Sequence, residues 1–278
     1  MSGNERDRLR NIKLVVAYDG TDFCGWQRQQ RREADTGTGG ACFHAGGVHT
    51  GGQNRTVQGV IEAALEKLHK EPVTLTGSGR TDTGVHAAAQ VANFHTSIGS
   101  MDAERFIPAL NSLLPHDVRI IEARETRPDF HARFDARLRT YRYYFLISRD
   151  APPWELRYAC PLRRPVELNR LNEYARLFRG EMDCSAFALP GDKSKSRSRY
   201  IFRAGFFMEN NRLVFEISAN AFLWKMVRRI VGTLIRCEEK GFDPAYVRGL
   251  INSGDWKLTG PAAPPAGLFL WKVEYYRE

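Results

Sequence analysis

Long apolar runs are missing from this sequence, and so are paired cysteines. No stretch reaches the roughly 20 apolar residues that a membrane-spanning helix needs. Five cysteines, Cys24, Cys42, Cys160, Cys184 and Cys237, are scattered, odd in number and never spaced as C-x-x-C. That spacing argues against a disulfide framework and against a thiolate zinc site. The first ten residues are polar and charged, without the apolar core of a secretory leader. The expectation is therefore a cytoplasmic chain with reduced thiols. Neither a P-loop nor a dinucleotide-binding glycine fingerprint is present. No cluster of metal ligands is convincing either.

What remains is the composition of a folded, basic chain. Its 278 residues suffice for one large domain or two small ones. Hydrophobic residues make up 42% and charged residues 26%, the ordinary range for a globular protein. Lys and Arg number 41 against 32 Asp and Glu, a net charge of +9. Such an excess suits a polyanionic partner, because phosphate neutralisation by Lys and Arg dominates nucleic-acid affinity.

The chemistry is concentrated in one run, Gly77-Ser78-Gly79-Arg80-Thr81-Asp82-Thr83-Gly84-Val85-His86-Ala87. It sets a single carboxylate, Asp82, on a glycine-rich turn two residues from the Arg80 guanidinium. Glycine admits positive φ and close approach of a ligand to the backbone. A neighbouring cation favours the ionised form of a carboxylate. A charged carboxylate on a loop between strands suits covalent or acid–base chemistry. Asp also satisfies N–H groups of its own turn, so the residues alone leave both roles open.

Periodicity divides the chain into two similar halves. The first predicts a strand over 11–18 and a helix over 56–69, with Thr56 as N-cap. Strands over 73–76 and 90–94 flank the glycine-rich turn, followed by a helix over 102–114 and a strand over 118–123. The second half predicts a strand over 140–147, a helix over 168–179 and a hairpin of 199–207 with 213–218. A long helix over 221–239, a short extra helix over 243–251 and a strand over 268–276 complete it. Both halves read β-α-β-β-α-β, the ferredoxin-like order, so the expected class is α+β. Two such units side by side would join their sheets and leave a cleft between their helix-free surfaces. The division expected is a tail over 1–10, a first subdomain over 11–132 and a second over 133–278. Residues 30–54 interrupt the first half, and seven of them are glycine. Glycine is costly to order, so this stretch reads as an inserted loop. Its Cys42, His44 and His49 lack a fourth metal ligand and read as solvated.

Residues 79–87 match the hallmark G-R-T-D-x-G-V-H-A, and on that basis the chain resembles the TruA family of tRNA pseudouridine synthases. Similar segments are Tyr18-Asp19-Gly20-Thr21 with Gly25-Trp26-Gln27, Arg55-Thr56-Val57-Gln58-Gly59 and Phe130-His131-Ala132-Arg133-Phe134. Others are Arg139-Thr140-Tyr141-Arg142-Tyr143, Asn220-Ala221-Phe222-Leu223, Met226 to Gly232 and Ala266-Gly267-Leu268. The likeness runs from about Leu14 to Tyr276, with 30–54 as the interruption. It implies the pseudouridine synthase fold, two ferredoxin-like units joined in a mixed, mainly antiparallel sheet around a central catalytic cleft.

The resemblance also implies roles. Asp82 is the nucleophile, Arg228 pairs with it, and Arg80 either assists base extrusion or steadies the turn. Tyr141 is the active-site tyrosine, able to stack on the base and relay a proton. By position, Tyr141, Tyr143 and Phe145 share one strand face, and only the resemblance sets Tyr141 apart. Likewise Arg228 and Arg229 both read as a solvated helix face, with Arg229 the plainer example. Leu268 packs against the flipped base. Candidate RNA contacts are Arg28, Lys225 on the helical face of Arg228, Arg133, and the loop 193–199. Their Lys, Arg and Ser side chains supply donors for phosphate oxygens. The family implies a cofactor-independent isomerase acting on uridines 38–40 of the tRNA anticodon stem-loop, as a homodimer with no membrane attachment. Two alternatives stay open at this level. One is a synthase for a different RNA, and the other a non-catalytic RNA-binding protein that uses exposed aromatics on its sheet.

Overall fold

Strand β1 (Arg10–Tyr18) organises the first half because its residues alternate. Ile12, Leu14, Val16 and Tyr18 are at most 4% exposed and lie on one face by the period of two. The computed structural model describes residues 9–27, 43–44, 47–48 and 55–276. It divides into two units, one running to Ala136 and taking in the chain from Tyr275, the other Arg137–Glu274. The tail over 1–8, Arg28, Cys42, His49 and most of the 30–54 segment lie outside the described residues. Within that segment only the backbone pair β2 (Phe43–His44) and β3 (Gly47–Val48) is described.

In the first unit, helix α1 (Val57–His69) begins where the Thr56 side chain accepts from the Gly59 N–H, and it ends at Lys70 in the left-handed region. Val57, Ile61, Ala64 and Leu65 form its buried stripe. Strand β4 (Thr76–Gly77) pairs antiparallel with β5 (His86–Thr96). Helix α2 (Phe106–Asn111) follows a 3-10 turn at Ala103–Arg105. It is shorter than its apolar pattern predicts, since Ala103–Arg105 is 3-10 and residues 112–114 continue as turns; the Asn111 amide exchanges two hydrogen bonds with the Ile120 backbone. Strand β6 (Val118–Thr126) and β5 flank β1, both antiparallel to it. The spatial order β6-β1-β5-β4 is the ferredoxin-like one. Lys13, on the other face of β1, is 5% exposed and lies over the rings of Tyr275 and Phe130, at 4.3 and 5.3 Å.

The second unit repeats the pattern. Its strands and helices are β7 (Ala136–Ile147), β8 (Cys160–Leu162), α3 (Leu168–Arg176), β9 (Gly180–Asp183), β10 (Ser198–Glu209) and β11 (Arg212–Ala219). Then come α4 (Met226–Glu239), α5 (Pro244–Ser253) and β12 (Leu268–Tyr275). The order β12-β7-β11-β10-β9 is again ferredoxin-like, with β9 added at the edge. Strand β8 lies parallel to the end of β7. The sequence reading missed β8 and β9, which are too short to show an alternation. Among the described residues no helix is long and apolar enough to cross a membrane.

Three thiols, Cys160, Cys184 and Cys237, are free. Burial pushes the Cys184 and Cys237 thiols up, to about 12 and about 11. Cys24 is disulfide-bonded, which corrects the expectation of reduced thiols throughout. Spacing along the chain carries no information on which cysteines meet in space.

Candidate active site

Asp82 sits on the connection between β4 and β5, half-buried, and that connection is anchored on both sides. On one side Ser78 donates its N–H to Val91 O at 2.7 Å, and its hydroxyl meets Gln90 Oε1. Gln90 Nε2 in turn donates to Gly79 O at 3.0 Å. On the other side the Thr81 hydroxyl, 8% exposed, meets the Tyr18 phenol at 2.9 Å. The Trp26 N–H donates to Thr81 O, the Gly84 N–H to Phe23 O and the Val85 N–H to Asp82 O. Gly84 holds φ +75°, which closes the turn without the strain a side chain would bring. A Cβ on Gly25, at φ +91°, would stand 2.4 Å from Thr81 O. The segment Phe23–Trp26 therefore packs directly against the backbone that carries Asp82. Trp26 itself is 2% exposed, a core residue beneath the turn.

One expected contact is missing. Arg80 is exposed, and among the described residues it makes no ion pair with Asp82. In an irregular loop a two-residue offset does not impose a common direction on two side chains.

In the second unit the tyrosines of β7 separate. Tyr143 is fully buried and donates its phenol to Pro264 O at 2.8 Å. Burial, with Cys160 close by, pushes its phenol far above the usual range. Tyr141 is half-exposed and meets Phe222 edge-on, ring centroids 5.1 Å apart. Of the two, only Tyr141 presents a ring to solvent.

Arg228 stands in the first turn of α4, half-buried, with Nε donating to Ala263 O at 2.7 Å. The Ala263 N–H returns a bond to Arg228 O at 2.9 Å. The guanidinium is thus fixed against the segment that leads into Leu268, which opens β12 and is 5% exposed. Arg229 departs from the sequence reading. It is 6% exposed and donates to Trp256 O and the Thr259 hydroxyl. Burial lowers its basicity. The predicted helix over 221–239 also begins late, at Met226. Lys225 precedes it at φ 57°, its ammonium 4.6 Å from the Trp224 ring. Lys225 therefore lies before the helix rather than on the Arg228 face of it.

Known proteins resemble the chain over most of its length. A family model described as tRNA pseudouridine synthase matches residues 14–135 and 174–276. A tRNA pseudouridine synthase A from Treponema denticola is 48% identical over 266 residues, covering 96% of this chain and 93% of its own. The chain belongs to the tRNA pseudouridine synthase family. Further relatives of that name come from Treponema pallidum, 44% identical over 91% of this chain and 84% of the relative. One from Clostridium perfringens, tRNA pseudouridine synthase A 2, is 38% identical over 96% of this chain and all of the relative.

A pseudouridine synthase is an isomerase, and this one carries exposed cations suited to an RNA backbone. Arg133 is exposed beside Phe134, its guanidinium 6.0 Å from that ring. Phe134 is 77% exposed and lies against His131 at 4.2 Å. In the loop 193–199, Lys193, Lys195 and Arg197 are exposed. Arg199, grouped with them in the sequence reading, is buried and donates to Ser196 O and Ser198 O. It braces the loop from inside. The sequence reading gave no role to Tyr18 and Gln90, which brace the Asp82 turn, or to Asp192, which accepts the Trp224 N–H. For Asp192 a signal existed, a lone acid at the head of a basic run.

Proposed function

We propose that this synthase converts uridine to pseudouridine in tRNA with Asp82 as the reacting carboxylate. The observation that carries the proposal is the turn itself. A half-buried carboxylate rides on a backbone fixed at Thr81, Ser78 and Val85. Such pre-organisation suits a group that must meet one atom of a bound nucleotide. The reaction breaks the bond between uracil N1 and the ribose, turns the base and joins C5 to the same ribose carbon. The C5 proton leaves to solvent, so no external group or electron is required. Asp82 begins it by attack on the sugar carbon, by attack on the ring or by removal of a ribose proton.

In this reading Tyr141 stacks on the extruded base and relays a proton, and Arg228 pairs with the Asp82 carboxylate. Leu268 lines the base pocket. Arg80 assists base extrusion or steadies the turn, while Arg28, Lys225, Arg133 and the loop 193–199 hold the RNA, offsetting the few kcal/mol that unstacking a base costs. The proposed targets are uridines 38–40 of the anticodon stem-loop, and the proposed working form is a cytoplasmic homodimer.

Asp82→Asn and Asp82→Ala test the assignment. Pseudouridine formation is expected to vanish while the tRNA Kd stays within about threefold, because an interaction made only during reaction affects rate and not binding. Appreciable turnover by either variant removes Asp82 from its role. Sequencing with a pseudouridine-specific label, with and without the gene, tests the target. Loss of label outside tRNA points to a different RNA, and no loss to binding alone.

A further inference from the structure

Asp192 is the only acidic residue among 191–199, where Lys193, Lys195 and Arg197 are exposed. A carboxylate in a phosphate-binding stretch weakens the attraction it sits in, unless its charge is engaged elsewhere. Here it is engaged. One oxygen accepts the Trp224 N–H at 2.6 Å and the other the Ser194 N–H at 2.8 Å. Burial opposes its charge, yet those N–H groups and nearby Arg197 outweigh it and hold the carboxyl below the usual range.

Trp224 belongs to the turn 220–225, which joins β11 to α4. Three neighbours of that turn bear on the chemistry. Phe222 meets Tyr141 edge-on. Lys225 adopts the left-handed conformation, in which a non-glycine residue stays only where its surroundings hold it. Arg228 follows within the first turn of α4. The far end of the turn is fixed independently: Asn220 Oδ1 accepts the Tyr200 and Ala221 N–H groups, and Arg139 donates to Asn220 O. Asp192 supplies a tie at the near end.

We infer that Asp192 is a positioning residue, the latch by which the basic loop holds the turn 220–225 and, through it, Tyr141 and Arg228. The inference rests on the roles proposed above for those two side chains. It makes the loop more than a phosphate grip, because the segment that receives the RNA backbone also sets the geometry of the reacting groups.

The test is a split between rate and affinity on purified synthase with an unmodified tRNA transcript. Asp192→Ala is expected to slow single-turnover pseudouridine formation at saturating tRNA by about tenfold or more, with Kd within about threefold. Asp192→Asn, which keeps an acceptor for the Trp224 N–H, is expected to restore the rate to within about threefold of wild type. The triple variant Lys193→Ala, Lys195→Ala, Arg197→Ala is expected to weaken Kd and flatten its salt dependence. An unchanged rate in Asp192→Ala, or a loss expressed only in Kd, overturns the latch. If Asp192→Ala does not fold, Asp192→Glu decides. Its extra methylene should displace the turn and slow the rate, and a wild-type rate there overturns the inference equally. Tyr141→Phe and Arg228→Lys separate the two levels. If both keep the wild-type rate, the underlying assignment fails; if they are slow while Asp192→Ala is not, the latch alone fails.

Discussion

Tyr18→Phe is the most telling substitution in the first unit, because it removes one buried oxygen from beneath the Asp82 turn. The Tyr18 phenol meets the Thr81 hydroxyl at 2.9 Å, and Thr81 immediately precedes Asp82. Thr81 is 8% exposed, so the variant leaves a buried hydroxyl without this partner. The cost of such a group is about 1–3 kcal/mol. At roughly 2–4 °C per kcal/mol for a chain of this size, the melting temperature should fall by about 2–12 °C. The same loss loosens the backbone under Asp82. A misplacement of the reacting group of an ångström is worth up to about a hundredfold in rate. Pseudouridine formation should therefore fall well beyond what the folded fraction explains. Thermal melting and single-turnover assays at saturating tRNA measure the two effects separately. The double variant Tyr18→Phe, Thr81→Val supplies the internal check. Replacing both polar partners by apolar groups costs less than orphaning one, so its loss of stability should be smaller than the sum of the single losses. A Tyr18→Phe protein with wild-type melting and wild-type rate would show that the pair does not hold the turn.

Three further outcomes are expected. Tyr143→Phe should lower stability by about 1 kcal/mol through loss of the bond to Pro264 while leaving the reaction rate near normal, whereas Tyr141→Phe should lower the rate with little change in melting; the reverse pattern would exchange their roles. Arg229→Lys should cost about 1–3 kcal/mol in denaturant melts, since the shorter lysine cannot bring a donor to where Arg229 Nη2 serves both Trp256 O and the Thr259 hydroxyl, whereas Arg228→Lys should change rate rather than stability. Asp135 and Asp192 both have carboxyls held below the usual range. For Asp135 the His131 N–H is the first cause and Arg127 a further one, and for Asp192 the N–H bonds outweigh burial. A folded pKa below the unfolded one gives stability that is complete above about pH 4 and is lost as pH falls through the folded value. Asp192→Asn should therefore flatten the acid limb of the stability curve, and an unchanged limb counts against that carboxylate.

The sequence carried the fold where periodicity is strong and lost it where single side chains decide. Strands β1 and β6 and helix α1 were legible because burial recurs every second residue, or every third and fourth. The start of α4 was not. Apolar spacing continues back through Phe222 and Leu223, but Asn220 and Asp192 take the local N–H groups and hold the chain out of the helix. Strands β8 and β9 are too short to leave a period. The motif around Asp82 marked a turn, yet it could not tell that Arg80 is exposed there. Nor could it tell that the anchors come from Tyr18 and Gln90, distant in sequence. Arg229 shows the same limit, since a charge pattern reads as solvated until the groove that buries it is known.

The clamp at Arg55 has a consequence for how this chain tolerates change. Its guanidinium lies 3.9 Å from the Phe23 ring and makes a two-pronged pair with Asp117, at 2.7 and 2.8 Å. The Cys24 N–H donates to Arg55 O, the Val57 N–H to Gly25 O and the Gln58 N–H to Trp26 O. The polypeptide thus departs after Gln27 and returns at Arg55 through neighbouring, stitched points. The entropy of closing a span between neighbouring points grows only with the logarithm of its length. Evolution or an engineer can shorten, lengthen or exchange that span, and the framework beneath it keeps its shape.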